Sequence, residues 1–342
     1  MRYTLSHITR FSYSAPISEG VSELRLQPRS EANQRCLSFG VSTNPTSRIF
    51  AYRDSLGNTV HYFDIPGRHD QLEIASEALV EVAAPVWELP GLAAGPINPD
   101  AAPAPLPADT WERLHASRNT GVHYDDLSPS RFALFTPALR AFHDELGLPE
   151  GLDPLALALS LTQRIHALMA YNPGATRVDS PIDEALAARR GVCQDYSHIM
   201  LALCRLRGLP ARYVSGYLFT GGGEGNQSSP DASHAWVEVW LPALGWIGLD
   251  PTNNLVAGER HIRVAIGRDY DDVPPVRGVF KGSSESALHV AVRVEQAEPE
   301  APDAIVPAVA WPPILSGEMR QQPLAQSQSQ PSSDQSQSQQ QQ

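Results

Sequence analysis

The sequence predicts an α+β fold, with an all-β N-terminal unit followed by a unit in which helices come first and antiparallel strands later. Three observations predict it. From Met1 to about Val82 short polar–apolar alternations are separated by turn residues; from Pro137 to Arg207 apolar residues recur at helical spacing; from Arg212 the alternation returns.

In the first stretch, Leu24-Arg25-Leu26, Thr59-Val60-His61-Tyr62-Phe63 and Leu72-Glu73-Ile74 alternate with period two. That period sends one side of each run into a core and the other into water, as antiparallel strands require. Between the first two runs, Asn44-Pro45-Thr46 and Asp54-Ser55-Leu56-Gly57-Asn58 supply turn chemistry. Residues 1–85 are therefore expected to form a β-sandwich or barrel-like domain. Residues 86–109 are rich in Ala and Pro; Pro lacks the N–H that a ladder needs, so this stretch reads as a linker.

Residues 110–296 are the expected second domain. Pro137 to Leu146 and Pro154 to Ala170 carry apolar residues at helical spacing, with Leu155, Leu157, Leu159 and Leu161 too dense for a surface strand. A third helix is expected from Ser180, where Ser180 can cap, Pro181 suits the first helical position and Asp183 and Glu184 favour the positive end of the dipole. It should stop near Gly191. A fourth runs from about Cys193 to Arg207 and is terminated by Gly208 and Pro210. Strands follow at Arg212 to Leu218, Ala235 to Leu241, Trp246 to Leu249, and Leu288 to Val294. Residues 297–342 run into a Gln/Ser-rich end with little to bury and are expected to be a disordered tail.

Charge narrows the partners. With 38 acidic against 26 basic residues the chain carries a formal charge of −12, and neither nucleic acid nor an anionic membrane is expected as a partner, since both need a concentrated cationic face. The start of the chain alternates too regularly for a signal peptide, and no apolar run is long enough for a spanning helix. Cys36, Cys193 and Cys204 are odd in number and form no CxxC pair, which argues against a disulfide framework or a zinc site and for a reducing cytoplasm.

Three segments together suggest chemistry: Arg190 to Asp195, Ser233 to Glu238, and Gly248 to Asn253. Cys193 follows a Gly and opens a helix, where unpaired amides and the dipole stabilise a thiolate and can donate to an oxyanion. His234 starts a strand and Asp250 ends the next, with Pro242 and Gly245 in the turn between them. A three-residue loop at 241–243, or a five-residue loop with the same register, would set His234 directly opposite Asp250. Their Cβ atoms would then lie about 4.5 to 5.5 Å apart, close enough for the carboxylate to fix the imidazole tautomer. Cys193, His234 and Asp250 would thus act as nucleophile, base and orienter.

The segments GVCQDYSH (191–198), GLPARYVSGY (208–217), SHAWVEVW (233–240) and GWIGLDPTNN (245–254) resemble the core of bacterial transglutaminase-like proteins. The likeness continues through Gly267 to Val273 and Gly278 to Phe280, and YSAP, LRLQPR and DSLGN resemble the β domain that precedes that core. The resemblance implies a papain-like core, a triad at Cys193, His234 and Asp250, attack on a peptide or amide carbonyl, and no metal or organic cofactor. The calcium-dependent animal enzymes use a Trp upstream of the nucleophile, whereas none lies between Trp111 and Cys193 here, which favours hydrolysis over cross-linking. Tyr171 is a candidate replacement oxyanion donor, with a core tyrosine as the alternative.

Other residues admit plainer readings. Cys204 is expected in the core, about 16 Å along the helix from Cys193. His198 could compete as a base but has no evident orienting acid. Asp195 either stabilises the helix dipole or touches substrate, and Gln194 could assist the oxyanion site. Trp236 shares the His234 face by period two and could shield the dyad. Gly221 to Asp231 reads as a loop beside the site that could act as a lid. Asp269, Asp271 and Asp272 lack the spacing of a calcium loop and read as a salt-bridged turn. The leading expectation is a thiol peptidase or amidase; the alternatives are an acyltransferase using an amine acceptor and a non-catalytic scaffold.

Overall fold

Residues 1–98, 103–221, 233–281 and 284–297 are described in a computed structural model. The N-terminal strands are β1 (Arg2–Ile17), β2 (Glu19–Leu24), β3 (Gln34–Asn44), β4 (Phe50–Arg53), β5 (Thr59–Ile65) and β6 (His69–Val82). After β7 (Gly95–Pro96) come α1 (Thr110–Asn119), α2 (Tyr124–Leu127), α3 (Pro137–Glu145), α4 (Pro154–Leu168), β8 (Ala170–Tyr171), α5 (Ile182–Ala188), β9 (Arg190–Gly191) and α6 (Cys193–Leu206). Then follow β10 (Ala211–Leu218), β11 (His234–Leu241), β12 (Gly245–Asp250), β13 (Leu255–Val256), β14 (His261–Gly267), β15 (Val276–Lys281) and β16 (Ser286–Ala297). The expected lid falls largely in residues 222–232 and the expected tail almost wholly in 298–342, both outside the described residues.

Two four-stranded sheets, ordered β16-β1-β6-β3 and β15-β2-β5-β4, form the expected sandwich. Phe11, Leu24, Phe63, Ile65, Leu72 and Ile74 fill the space between them, each on the inward side of its alternating strand. The strands β15 and β16 lie within the range 110–296 expected for the second domain, yet they pair with β2 and β1 of the first. Without them β1 and β2 would expose unpaired strand edges. Alternation of Leu288, Val290, Val292 and Val294 identifies a strand but cannot name its partner.

The second unit centres on a six-stranded sheet ordered β14-β10-β11-β12-β13-β7. Ala235, Val237, Val239 and Leu241 of β11 join the core formed with α3, α4, α5 and α6, while Trp236 packs with Val214, Ala257 and Ile266 in a separate cluster. Helix α6 is buried along most of its length, from Asp195 to Arg205, as a central helix wrapped by others requires. The supposed linker 86–109 is a strap: Trp87, Leu89, Leu92 and Ile97 pack on this core and β7 extends its sheet. Leu106 is buried in the same core, and the Pro and Ala content of the stretch disguises these large apolar anchors.

Capping agrees with the sequence at α3 and α4 and departs from it at α5. Thr136 accepts from the Leu139 amide, and Asp153 from those of Leu155 and Ala156, each followed by Pro. At α5 the N-cap is Pro181 itself. The Ser180 hydroxyl donates instead to Glu184 and accepts from the Arg177 amide, so it secures the preceding turn.

The sandwich also holds the outer edge of the second sheet. Along β14, the side-chain amide of Gln34 accepts from the Arg263 N–H at 2.8 Å and donates to its carbonyl at 2.7 Å. Asn58 does the same for Ile266, at 2.8 Å in each direction. Two amides thus stand in for a missing neighbour strand. Glu238, fully buried, joins this seam by accepting from Arg212 and Arg263, which hold its carboxyl down at about 2 against the opposing effect of burial. Asn58→Leu should strand both backbone groups of Ile266 and lower unfolding free energy by about 2 to 4 kcal/mol. Urea denaturation checks this, and an unchanged midpoint would contradict it.

Candidate active site

The approach to Cys193 is fixed from two sides. The short strands β8 and β9 pair in parallel, Tyr171 opposite Gly191, and the Asn172 amide donates to the Gly191 carbonyl at 2.9 Å. Just beyond, the buried Asp195 carboxylate accepts from the Val192 amide at 2.8 Å and from the Thr176 hydroxyl at 2.5 Å. Gly191 is required there because a Cβ would lie 2.6 Å from Asp195 Oδ2. Of the two readings of Asp195, its place as the acid in the first turn of α6 agrees with stabilisation of the helix dipole, while its buried carboxylate is engaged by internal donors and not turned to a substrate. It ties the residue before the nucleophile to the first turn of α6, the reciprocal half of a capping box. Burial raises its pKa against the effect of these hydrogen bonds.

Cys193 is a free thiol, partly exposed, in the first turn of α6. The Asp195 and Tyr196 amides are taken up by the Val192 carbonyl, but Cys193 and Gln194 open the helix, where backbone N–H groups lack intrahelical acceptors, so an anion formed on a carbonyl attacked by Sγ meets N–H groups and the positive dipole end. Cys204 is wholly buried and burial pushes its thiol up to about 12; burial also raises Cys36. Gln194 donates its side-chain amide to the Val178 carbonyl at 2.8 Å, so that group steadies the 176–180 loop instead of facing an oxyanion. Tyr171 packs against the helical core beside Gly191.

The β11–β12 hairpin brings His234 and Asp250 together in a register different from the expected one. Leu241 pairs with Gly245 and Val237 with Leu249, so the three-residue loop is 242–244. Gly245 takes a positive φ of 73°, the residue that closes such loops. The loop begins one residue later than expected, which offsets every pair by two, and His234 is diagonal to Asp250. Because side chains alternate with period two, an offset of two preserves the face. The dyad therefore still forms, with His234 Nε2 at 2.8 Å from Asp250 Oδ2.

Asp250 is fully buried and satisfied on both oxygens. Oδ1 accepts from the Thr252 amide at 3.0 Å and the Asn253 amide at 3.1 Å. Oδ2 is shared by His234, by Asn253 Nδ2 at 2.8 Å and by His261 Nε2 at 3.2 Å. Burial alone would raise this carboxyl; the charge of His234 and the hydrogen bonds from both rings hold it well below the usual carboxylate range. For His234 burial alone would lower the pKa, but the Asp250 carboxylate and the hydrogen bonds to Asp250 and Cys193 push it up to about 10. With Nε2 occupied by Asp250, the ring nitrogen turned to Cys193 is Nδ1. The arrangement thus holds an imidazolium between a carboxylate and a sulfur.

Trp236 is fully buried and stacks on His234 at 6.0 Å between centroids, with its edge toward His261 at 5.2 Å. Gly216 and Gly248 flank the indole; a Cβ on Gly216 would sit 2.1 Å from the Ile262 carbonyl oxygen. Trp236 thereby covers the dyad, as its place on the strand suggested. His198 is not a rival base: burial lowers it to about 3, its ring stacks on Phe132, and Nε2 accepts from the Tyr270 amide at 3.2 Å. In the acidic turn Asp271 pairs with Arg131 and Arg277 and Asp272 with Arg268, as expected, whereas Asp269 is buried and accepts from the Phe132 and Asp271 amides.

Sequence reasoning missed His261 and Asn253. Asn253 lies in the segment already singled out, two residues beyond a Pro turn, and a carboxylate at the turn's start is a signal for local amide donors. His261 lies eleven residues beyond Asp250 on β14, with no local pattern to link them. Among the described residues, His234, Asp250 and His261 are the group whose ligand atoms could converge on a cation, all within 4.8 Å. The Gly258 amide donates to His261 Nδ1 at 3.3 Å, which leaves the ring proton on Nε2, aimed at Asp250. The cluster is thus a hydrogen-bond relay in which that nitrogen is a donor and not a ligand.

Residues 3–81 match the bacterial transglutaminase-like N-terminal region, and residues 148–251 match the transglutaminase-like superfamily, a span that contains Cys193, His234 and Asp250. An uncharacterized protein of Mycobacterium tuberculosis is 36% identical over 313 residues, covering 88% of this chain and 94% of that one. A protein-glutamine gamma-glutamyltransferase of Pseudomonas aeruginosa is 41% identical over 134 residues, 36% of this chain and 19% of that protein. Among solved structures, a Cytophaga hutchinsonii protein provisionally assigned as a cysteine protease superposes with a TM-score of 0.62 at 20% identity, over 87% of this chain and 92% of that one. That last likeness is one of fold.

Proposed function

The chain belongs to the transglutaminase-like superfamily, and from that premise we propose that it hydrolyses a peptide or amide through a thioester on Cys193. The observation that carries the reading is His234 hydrogen-bonded both to Asp250 and to Cys193. In the proposed reaction Cys193 Sγ attacks the carbonyl carbon and the carbonyl electron pair moves to oxygen, where the first-turn amides of α6 receive it. His234 Nδ1–H gives its proton to the leaving amine as the C–N bond breaks, leaving the thioester. Water then attacks, His234 takes its proton, and Cys193 leaves as the carboxylic product departs. Asp250 keeps the imidazole in the tautomer both steps use.

Acyl transfer is the second reading, in which an amine replaces water in the last step. The 41% identity to a glutamyltransferase over 134 residues favours it, while the lack of a Trp between Trp111 and Cys193 favours water. A peptide library offered with and without excess primary amine, read by mass spectrometry, separates them. Hydrolysis predicts products that gain only the elements of water whether amine is present or not; amine-bearing products would establish transfer, and no product from either would contradict both. The spread of free thiols supports a reducing, cytoplasmic setting as part of the proposal. Among the described residues no helix is long and apolar enough to cross a membrane.

A further inference from the structure

We propose that His261 is a positioning residue for this reaction: as a neutral imidazole it donates Nε2–H to Asp250 and keeps the shared carboxylate oxygen aimed at His234. The inference rests on the Cys193–His234–Asp250 reading above and concerns how that carboxylate is held.

The geometry carries the argument. His261 is 4% exposed, and both of its ring nitrogens have partners: Nδ1 accepts from the Gly258 amide at 3.3 Å and Nε2 lies 3.2 Å from Asp250 Oδ2. The backbone amide can only donate, so the tautomer is fixed and Nε2 can only be the donor. The residue's place is equally fixed. The ring packs against the edge of Trp236, a bulge between Ser215 and Gly216 offsets the β10–β14 pairing next to it, and Gln34 and Asn58 pin the outer side of β14. Bulges beside active sites re-aim side chains in this way. Burial lowers the His261 pKa, consistent with a neutral ring.

A neutral donor on Asp250 has two effects. Together with Asn253 Nδ2 it opposes rotation of the carboxylate about its Cβ–Cγ bond, since side-chain donors then hold Oδ2 while the Thr252 and Asn253 amides hold Oδ1. It also draws charge from Oδ2, which weakens the grip of Asp250 on the His234 proton and lets that proton pass to a leaving amine. The charged and titratable groups facing this cluster are Cys193 and Asp250 at His234, and His234, Asp250 and Arg263 at His261. Removing the donor should make Asp250 more basic and His234 harder to deprotonate.

The test compares full-length wild type, His261→Leu and His261→Gln by kcat, KM and the pH dependence of both kcat and Cys193 alkylation by iodoacetamide. His261→Leu should lower kcat by about 10- to 100-fold, the usual cost of losing an orienting partner, with KM little changed and the alkaline limb moved to higher pH. His261→Gln keeps a side-chain N–H that can reach Asp250 and should recover most of kcat and return the limb. Equal loss in both variants with an unmoved limb would overturn the proposal, as would full kcat in His261→Leu. The alkylation arm needs no substrate. If wild-type Cys193 is not selectively alkylated, the triad reading itself fails and this one with it; if it is, and the limb stays fixed in His261→Leu, the positioning role alone fails.

Discussion

Cys193→Ala will remove turnover, by about a millionfold if the thiol triad behaves as other nucleophile–base pairs do. The side chain is half-buried at the start of a helix and, among the described residues, its hydrogen-bond partner is His234, whose ring N–H donates to the sulfur in the contact that the chemistry uses, so folding should be nearly unaffected. Cys193→Ser should be almost as inactive, because a hydroxyl at this site is a far weaker nucleophile than a thiolate beside an imidazolium. Steady-state assays on a responsive peptide, with circular dichroism to verify the fold, check this. Retention of more than a small fraction of turnover in Cys193→Ala would place the nucleophile elsewhere. Neither Cys204, buried with its thiol pushed up to about 12, nor Cys36, on the sandwich, could then serve without rearrangement.

Asp250 should show the next largest effect, and in two observables. Asp250→Ala leaves five buried donors without their acceptor: both imidazoles, the Asn253 side chain and two backbone amides. Breaking a buried charge pair from one side costs about 3 to 5 kcal/mol, so this variant should be strongly destabilised. Asp250→Asn keeps the shape and isolates the charge. Its kcat should fall by about ten thousandfold, and its pH profile should change in a defined direction. In wild type the carboxylate and Cys193 together hold His234 up at about 10 against burial; without the carboxylate only the Cys193 contact still opposes burial, and the ring gives up its proton more readily. The alkaline limb of kcat should therefore move to lower pH.

The same shift has a stability consequence. His234 has a folded pKa above its unfolded value, so its contribution is complete below about pH 6.5 and is lost as pH rises through about 10. Wild-type thermal midpoints should decline across that window, and the decline should be shallower in Asp250→Asn. Parallel slopes in the two proteins would contradict the ion pair.

The sequence disclosed the dyad because the relevant physics has period two. The turn chemistry fixes the loop's start only to within one residue, yet His234 and Asp250 stay on one face, since a shift of two in pairing changes the opposite neighbour and not the side. The helix that presents Cys193 was legible from its Gly, its apolar spacing and its Gly208 stop, and it runs within a residue of the expected end. What escaped was long-range. Nothing local in Leu288 to Val294 says that this strand pairs with β1, nearly the full chain away. Nothing in the strand beginning at His261 says that its first residue meets Asp250. Asp195 was visible as a charge in a first turn, but its partner Thr176 belongs to a loop whose path only the β8–β9 pair determines. Ser180 had the chemistry of a cap and was drawn to Glu184 one turn on, a competition that side-chain hydroxyls commonly decide by geometry.

The central claim is an activated Cys193–His234 pair oriented by Asp250. Brief treatment with limiting iodoacetamide near neutral pH, followed by mass spectrometry of the labelled peptides, tests it without knowledge of the substrate. Wild type should be modified at Cys193 well ahead of Cys36 and Cys204, and His234→Ala should lose that preference because the stabilising cation is gone. Slow and equal labelling of all three cysteines in both proteins would contradict the account and leave the scaffold reading standing.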